Sequence, residues 1–300
     1  MSAPRLAVVV AFLNEAEHLP TLLESIAAQT RRPDELLLVD DGSSDASPQI
    51  AEAFVAEHSY ARALRRPPRP SERDRLATAA ELLAFQWGVE QLSQEPDVVV
   101  KLDADLRLSA TLFETAERAL ISEPRLGITG SYLAVELPGG GVQREFHPAD
   151  QVRGPNKFYR WSCYRDIQPL AAHLGWDMVD ELKAKLAGWD VRSLSVPEGD
   201  SVHLRPTGVH DGRLRAFRRW GTCAWGYGQH PLVVLGGGVV RFSHRPYVLG
   251  GLSYILGWAL AGVRRAPRAE PAVRSFVRRE KLRYVARSLR HPSRALFLRP

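Results

Sequence analysis

The sequence predicts an α/β protein, a mostly parallel sheet flanked by helices, with a helical region appended at the C-terminus. Three observations carry this. Residues 6–10, 36–39 and 98–102 are short aliphatic runs of the kind that form strands buried on both faces. Each runs into a polar cluster: Asn14-Glu15, Asp40-Asp41 and Asp103-Ala104-Asp105. Helical spacing then follows, with Leu19, Leu22, Leu23 and Ile26 after the first strand and Ile50, Phe54 and Val55 after the second. In open sheets of this class ligands gather outside the carboxyl ends of the strands, so the three clusters are expected along one edge.

The first element is a strand over residues 6–10, closed by the Asn14-Glu15 loop and followed by a helix over residues 18–28. After the second strand, Gly42 permits a tight turn and Ser43, Ser44 or Asp45 is expected to cap the next helix. Residues 65–75 read as an irregular Arg/Pro loop, in which Arg73 or Arg75 either meets a diphosphate or is simply solvated. The third strand delivers Asp103 and Asp105, two hard oxygen donors one residue apart. That spacing suits Mg²⁺ or Mn²⁺ carrying a diphosphate, because such a cation keeps most of its ligands from water and phosphate. The competing reading of the same residues is a solvated acidic turn.

Taken together, VVVAFLNE, LLLVDDGSSD and KLDADL resemble the nucleotide-sugar domain of glycosyltransferase family 2, and the similarity extends over about residues 5–230. The resemblance implies a GT-A fold and an inverting bacterial enzyme that binds a nucleoside diphosphate sugar with Mn or Mg at its DxD motif. It implies that Phe12, Asn14, Glu15, Asp40, Asp41, Asp103 and Ala104 line the donor, that Asp103 and Asp105 hold the metal, and that His203 completes the metal site. Residues 147–170 resemble the acceptor-side loop and helix, so Gly154, Asn156, Lys157 and, further on, Trp176 are expected beside the acceptor. Gly175-Trp176-Asp177, followed by Gly188-Trp189, resembles the segment carrying the catalytic base, which makes Asp177 that base with Asp180 and Glu181 as alternatives three and four residues on. The other reading of this acidic trio is a helix N-terminal turn complemented by Lys183 and Lys185. Gln86 stands where many relatives have Asn. Ala216 replaces the Gln of the Gln-x-x-Arg-Trp box in residues 215–220, which weakens any case for processivity.

The chain has 300 residues, 45% of them hydrophobic, enough for one large core and an appendage. Its two cysteines, Cys163 and Cys223, make neither a disulfide framework nor a zinc site. No signal peptide is legible, since Asn14-Glu15 interrupt the first apolar run, and a cytoplasmic compartment is expected. Charge separates the C-terminal region: residues 241–300 hold thirteen Arg and Lys281 against Glu270 and Glu280, a net +12, while the rest of the chain is −6. Residues 247–263 carry no charge. As a helix they would reach roughly 26 Å, a little short of a hydrocarbon core of about 30 Å. In the following helix Val273, Phe276, Val277, Tyr284, Val285 and Leu289 can share a face flanked by Arg274, Arg278, Lys281 and Arg287, as an interfacial helix would.

These readings divide the chain into a catalytic domain over residues 1–230, with a nucleotide-sugar half to about 106 and an acceptor half over about 107–230, and an apolar, Arg-rich helical region over residues 231–300. The expected function is sugar transfer from a nucleoside diphosphate sugar to a lipid-linked or surface-polysaccharide acceptor. The expected place is the cytoplasmic face of the inner membrane, against anionic lipid, as a peripheral or monotopic protein. Nucleic acid is an unsuitable partner, because binding phosphates calls for no long uncharged segment bearing Trp and Tyr. The alternatives are a sugar-phosphate nucleotidyltransferase, which would want a Gly-rich basic loop where Ala11-Phe12-Leu13-Asn14-Glu15 stands, and a non-catalytic nucleotide-sugar-binding protein.

Overall fold

A computed structural model describes residues 3–67, 74–137, 141–145, 147–205, 212–243 and 245–290. Two compact units make up the chain: Met1–Ala172 with Ala187–Arg205, and His173–Leu186 with Pro206–Pro300. The boundary expected at residue 230 therefore falls inside the second unit, which also takes a segment from the middle of the chain.

The first unit begins with β1 (Leu6–Phe12), α1 (Leu19–Ala27), β2 (Glu35–Asp40), α2 (Ser47–Glu57), β3 (Ala61–Arg65), α3 (Ala80–Glu90) and β4 (Val98–Asp103). Every residue of β1 and β2 is buried, as aliphatic runs between two helix layers must be. Next come β5 (Leu106–Arg107), α4 (Leu112–Ser122), β6 (Leu126–Ser131), β7 (Leu133–Glu136), β8 (Val142–Arg144), β9 (Asn156–Arg160), α5 (Trp161–Asp166), β10 (Asp190–Leu194) and β11 (Ser201–His203). The large sheet has the order β10-β6-β9-β4-β1-β2-β3, and a small one the order β5-β11-β7-β8. Within the large sheet β9 alone runs antiparallel, to both β4 and β6, while the other pairs are parallel. Helix α1 buries Leu19, Leu22, Leu23 and Ile26, and α4 buries Leu112, Phe113, Ala116 and Leu120, all joined in one core with the strands. Helix α3 lies close on the sheet because Gly88 has no side chain there: a Cβ would come within 2.6 Å of Val9 Cγ1 and 2.9 Å of Val39 Cγ2.

The second unit is helical: α6 (Trp176–Leu186), α7 (Arg213–Gly226), α8 (Pro231–Arg241), α9 (Val248–Val263) and α10 (Pro271–Arg290). Helices α7 and α9 cross at glycines, since a Cβ on Gly221 would strike the Tyr254 carbonyl and one on Gly257 the Arg218 carbonyl. Phe217, Ala224, Val234 and Tyr254 form the core of this unit, and Arg241 lies 4.4 Å from the centre of the Tyr254 ring. Lys183 of α6 pairs with Glu270 at 2.8 Å. The uncharged run at 247–263 is thus the helix expected, with Gly250, Gly251, Tyr254, Gly257 and Ala261 buried and Leu249, Leu252, Leu256 and Val263 exposed. Among the described residues no helix is long and apolar enough to cross a membrane. In α10, Val273 and Val277 are buried. The side chains of Tyr284, Val285, Arg287 and Leu289, like Arg73, lie outside the described residues.

Candidate functional site

Strand register builds the site. Phe12 is level with Asp40 across the β1–β2 pair, and Ala11 with Asp103 across the β1–β4 pair. The three polar clusters therefore leave the sheet side by side. Because β9 runs the other way, its start, where Asn156 faces Leu102, is brought to the same edge. Gly154 is there too, accepting a 3.0 Å hydrogen bond from Lys101 Nζ.

The loops at this edge are stitched together. Asn14, in the left-handed region at φ 55°, accepts from the Ser44 amide at 2.8 Å, and its own amide donates to Ser43 Oγ at 3.0 Å. The Glu15 amide donates to Ser47 Oγ at 2.8 Å, and the Ala16 amide to Asp45 Oδ2 at 3.0 Å. The expectation that Ser43, Ser44 or Asp45 caps α2 is met by Asp45, whose Oδ1 accepts from the Ser47 amide at 3.0 Å, while Ser43 holds the neighbouring loop. Asp40 is buried, and its Oδ1 accepts from the amides of Gly42 and Ser43 at 3.1 and 2.7 Å, so it shapes the turn. Asp41 pairs with Arg66 at 2.9 Å and with Arg75. Arg75 is therefore not simply solvated, and the Arg/Pro loop is tied at both ends to the acidic cluster.

Asp103 pairs with Lys101, whose buried Nζ also meets Glu81. Burial opposes the Lys101 charge, but Asp103 and Glu81 outweigh it and raise its pKa. Burial and the Asp103 charge together hold the Glu81 carboxyl far above the ordinary carboxylate range. Ala104 and Phe12 are buried. Asp105 Oδ2 lies 3.2 Å from His203 Nε2 and accepts from Arg205 Nε at 2.9 Å. Arg205 also reaches Glu15. Burial pushes the Asp105 carboxyl up, yet His203 and Arg205 prevail and hold it at about 2. Burial likewise disfavours the His203 cation, but the hydrogen bond and charge of Asp105 raise its pKa overall. Glu15 is raised, chiefly by burial.

Asp105 and His203 meet as expected, and Asp103 is near enough to act electrostatically on His203. Among the described residues no three His, Cys, Asp or Glu side chains are gathered closely enough to hold a metal by themselves. The donor set fits a cation that takes its remaining ligands from phosphate and water.

Of the expected acceptor-side residues, Asn156 and Lys157 are fully buried, and Asn156 exchanges hydrogen bonds with Ser131, at 2.9 Å from the amide and 3.0 Å to Oγ. Their place is inside the sheet. Trp176, Asp177, Asp180 and Glu181 share α6 in the second unit; Asp177 is half-buried in the first turn, while Asp180 and Glu181 are 1% and 2% exposed. Burial and the nearby Asp177 charge push the Cys223 thiol up to about 12. The residues that sequence reasoning missed are Lys101, Glu81 and Arg205. Arg205 stands two residues beyond His203, just past the end of β11, where no periodic pattern aims it at the site.

The sequence profile of the family described as glycosyl transferase family 2 matches residues 7–160. A glycosyltransferase of PGL/p-HBAD biosynthesis from Mycobacterium bovis is 31% identical over 108 residues, 35% of this chain and 42% of that protein. A cholesterol galactosyltransferase from Borreliella burgdorferi is 36% identical over 56 residues, 19% of this chain and 16% of that protein. The chain thus spans less than half the length of these relatives. In three dimensions it is similar to the mannosyltransferase PcManGT from Pyrobaculum calidifontis, solved with GDP-Man and Mn²⁺, with a TM-score of 0.53 and 17% identity over 98% of this chain and 83% of that one. At that identity the likeness shows the fold.

Proposed function

This chain belongs to glycosyl transferase family 2, and from that premise we propose that it transfers a sugar, with inversion, from a nucleoside diphosphate sugar to a lipid-linked or saccharide acceptor. The observation that carries the reading is the level ending of β2, β1 and β4, which sets Asp40, Asn14-Glu15 and Asp103 side by side with the Asp105–His203 pair next to them. Donor binding falls to this edge. The PcManGT complex with GDP-Man and Mn²⁺ supports a nucleotide sugar and a divalent cation here.

A cation held by Asp103, Asp105 and His203 would neutralise charge developing on the departing diphosphate. The chain's own residues do the rest. The stitched loops fix the carboxylates at this edge, and these hold the nucleoside in one orientation. By family resemblance Asp177 takes the proton from the acceptor hydroxyl as that oxygen bonds to the anomeric carbon and the bond to the diphosphate breaks. A single displacement of this kind inverts the anomeric centre.

The acceptor is placed at an anionic membrane surface on the cytoplasmic side. Support comes from the +12 charge of residues 241–300 and from a relative named for transfer to cholesterol. Thermal-shift screening of UDP- and GDP-sugars selects the donor, because a ligand of the folded state raises its stability by mass action. Proton NMR of the product then reads the new linkage. An anomeric configuration opposite to that of the donor is the expected result, and a retained configuration would overturn the single displacement.

A further inference from the structure

We infer that Arg205 binds the donor's diphosphate and, before donor arrives, serves as the internal counter-cation of Asp105. The inference rests on the donor site proposed above and adds to it an exchange between two positive groups at one carboxylate oxygen.

Asp105 Oδ2 is shared: Arg205 Nε donates to it at 2.9 Å and His203 Nε2 lies 3.2 Å away. The same guanidinium also reaches Glu15 across the edge. Oδ2 of Asp105 is therefore occupied by the protein's own positive charge, and a second cation at the same carboxylate is repelled strongly in a partly buried site. Metal entering alone meets the charge of Arg205 and offers it nothing in return. Metal entering with a diphosphate offers it phosphate oxygens, to which a planar guanidinium fork is suited.

The backbone confines this movement. The Leu204 amide donates to the Asp105 carbonyl at 2.9 Å, anchoring the chain beside Asp105, while the Arg205 side chain is 42% exposed and has solvent on one side through which to turn. Its second partner, Glu15, has an Oε2 that makes no hydrogen bond among the described residues. Arg205 thus couples the two ligands: nucleoside diphosphate raises the affinity for metal, and metal must raise the affinity for nucleoside diphosphate by the same factor.

The test compares the wild-type chain with Arg205→Met, which keeps the length of the stem without the charge, and with Arg205→Lys, which keeps the charge without the fork. Free Mn²⁺ is followed by its EPR signal, first with protein alone and then with UDP or GDP, and melting curves check that each variant is folded. Arg205→Met should bind Mn²⁺ alone at least about threefold more tightly than wild type, because the competing ion pair is gone, while its affinity for nucleoside diphosphate at saturating Mn²⁺ falls. Arg205→Lys should leave Mn²⁺ affinity near wild type and still weaken nucleoside diphosphate binding. A merely structural arginine would lower both affinities together, and that result, or an unchanged Mn²⁺ affinity in Arg205→Met, overturns the exchange. If wild type binds no nucleoside diphosphate at any Mn²⁺ concentration, the donor reading fails, and the titration with Mn²⁺ alone still decides whether Arg205 competes for Asp105.

Discussion

On the proposal above Asp177 is the base of the transfer, and its neighbours on α6 set the terms of the test. Asp180 and Glu181 are 1% and 2% exposed, whereas Asp177 is half-buried. Asp177→Asn removes proton acceptance with almost no change in shape. It should keep donor affinity and lower turnover by about 10²–10⁴-fold, the usual weight of a general base. Steady-state rates alongside nucleoside diphosphate titrations check this. A variant that keeps most of its turnover moves the role to Asp180 or Glu181.

At the scale of elements, the crossing of α7 and α9 depends on two residues without side chains. Gly257→Val would drive a Cβ into the Arg218 carbonyl and should destabilise the protein by about 1–3 kcal/mol. Denaturant unfolding monitored by circular dichroism reads this, and unchanged stability would mean the helices have room to move apart. The crossing also explains what the sequence hides. The run at 247–263 is legible as one apolar helix, but its glycines read as mere lack of charge until α7 is seen to lie on Gly257. The three strand ends are legible because β1, β2 and β4 each carry an aliphatic run that gives way to a polar cluster. By contrast β9, Asn-Lys-Phe-Tyr-Arg, opens on two polar residues and shows no aliphatic run; the register that inserts it between β4 and β6 buries Asn156 and Lys157. Arg205 and Glu15 are 190 positions apart, so no local pattern reveals their pairing. The membership of α6 in the second unit is equally non-local.

At the scale of the whole molecule, the charge is divided between a −6 body and a +12 C-terminal region. Helices α8 and α9 add exposed Leu232, Leu235, Val239, Leu249, Leu252 and Leu256. Each Lys or Arg near an anionic leaflet contributes about 1 kcal/mol, and the apolar side chains add a part that salt does not screen. The full chain should therefore bind vesicles containing anionic lipid at low salt and be only partly released at high salt. Leu252→Glu with Leu256→Glu, both on the exposed face, should make release by salt complete. Sedimentation with vesicles measures this, and a full chain that ignores anionic vesicles at low salt would remove the membrane from the account.

On this reading the edge formed by β2, β1 and β4 binds a nucleoside diphosphate together with a divalent cation through Asp105. Calorimetric titration of UDP and GDP into the wild-type chain and into Asp105→Asn, each with Mn²⁺ and with a chelator, tests it most directly. At least one nucleotide should bind wild type in an Mn²⁺-dependent way and lose that dependence in Asp105→Asn, with both proteins equally folded. Equal affinity with Mn²⁺ and with chelator in wild type, or full Mn²⁺-dependent binding by Asp105→Asn, would contradict it.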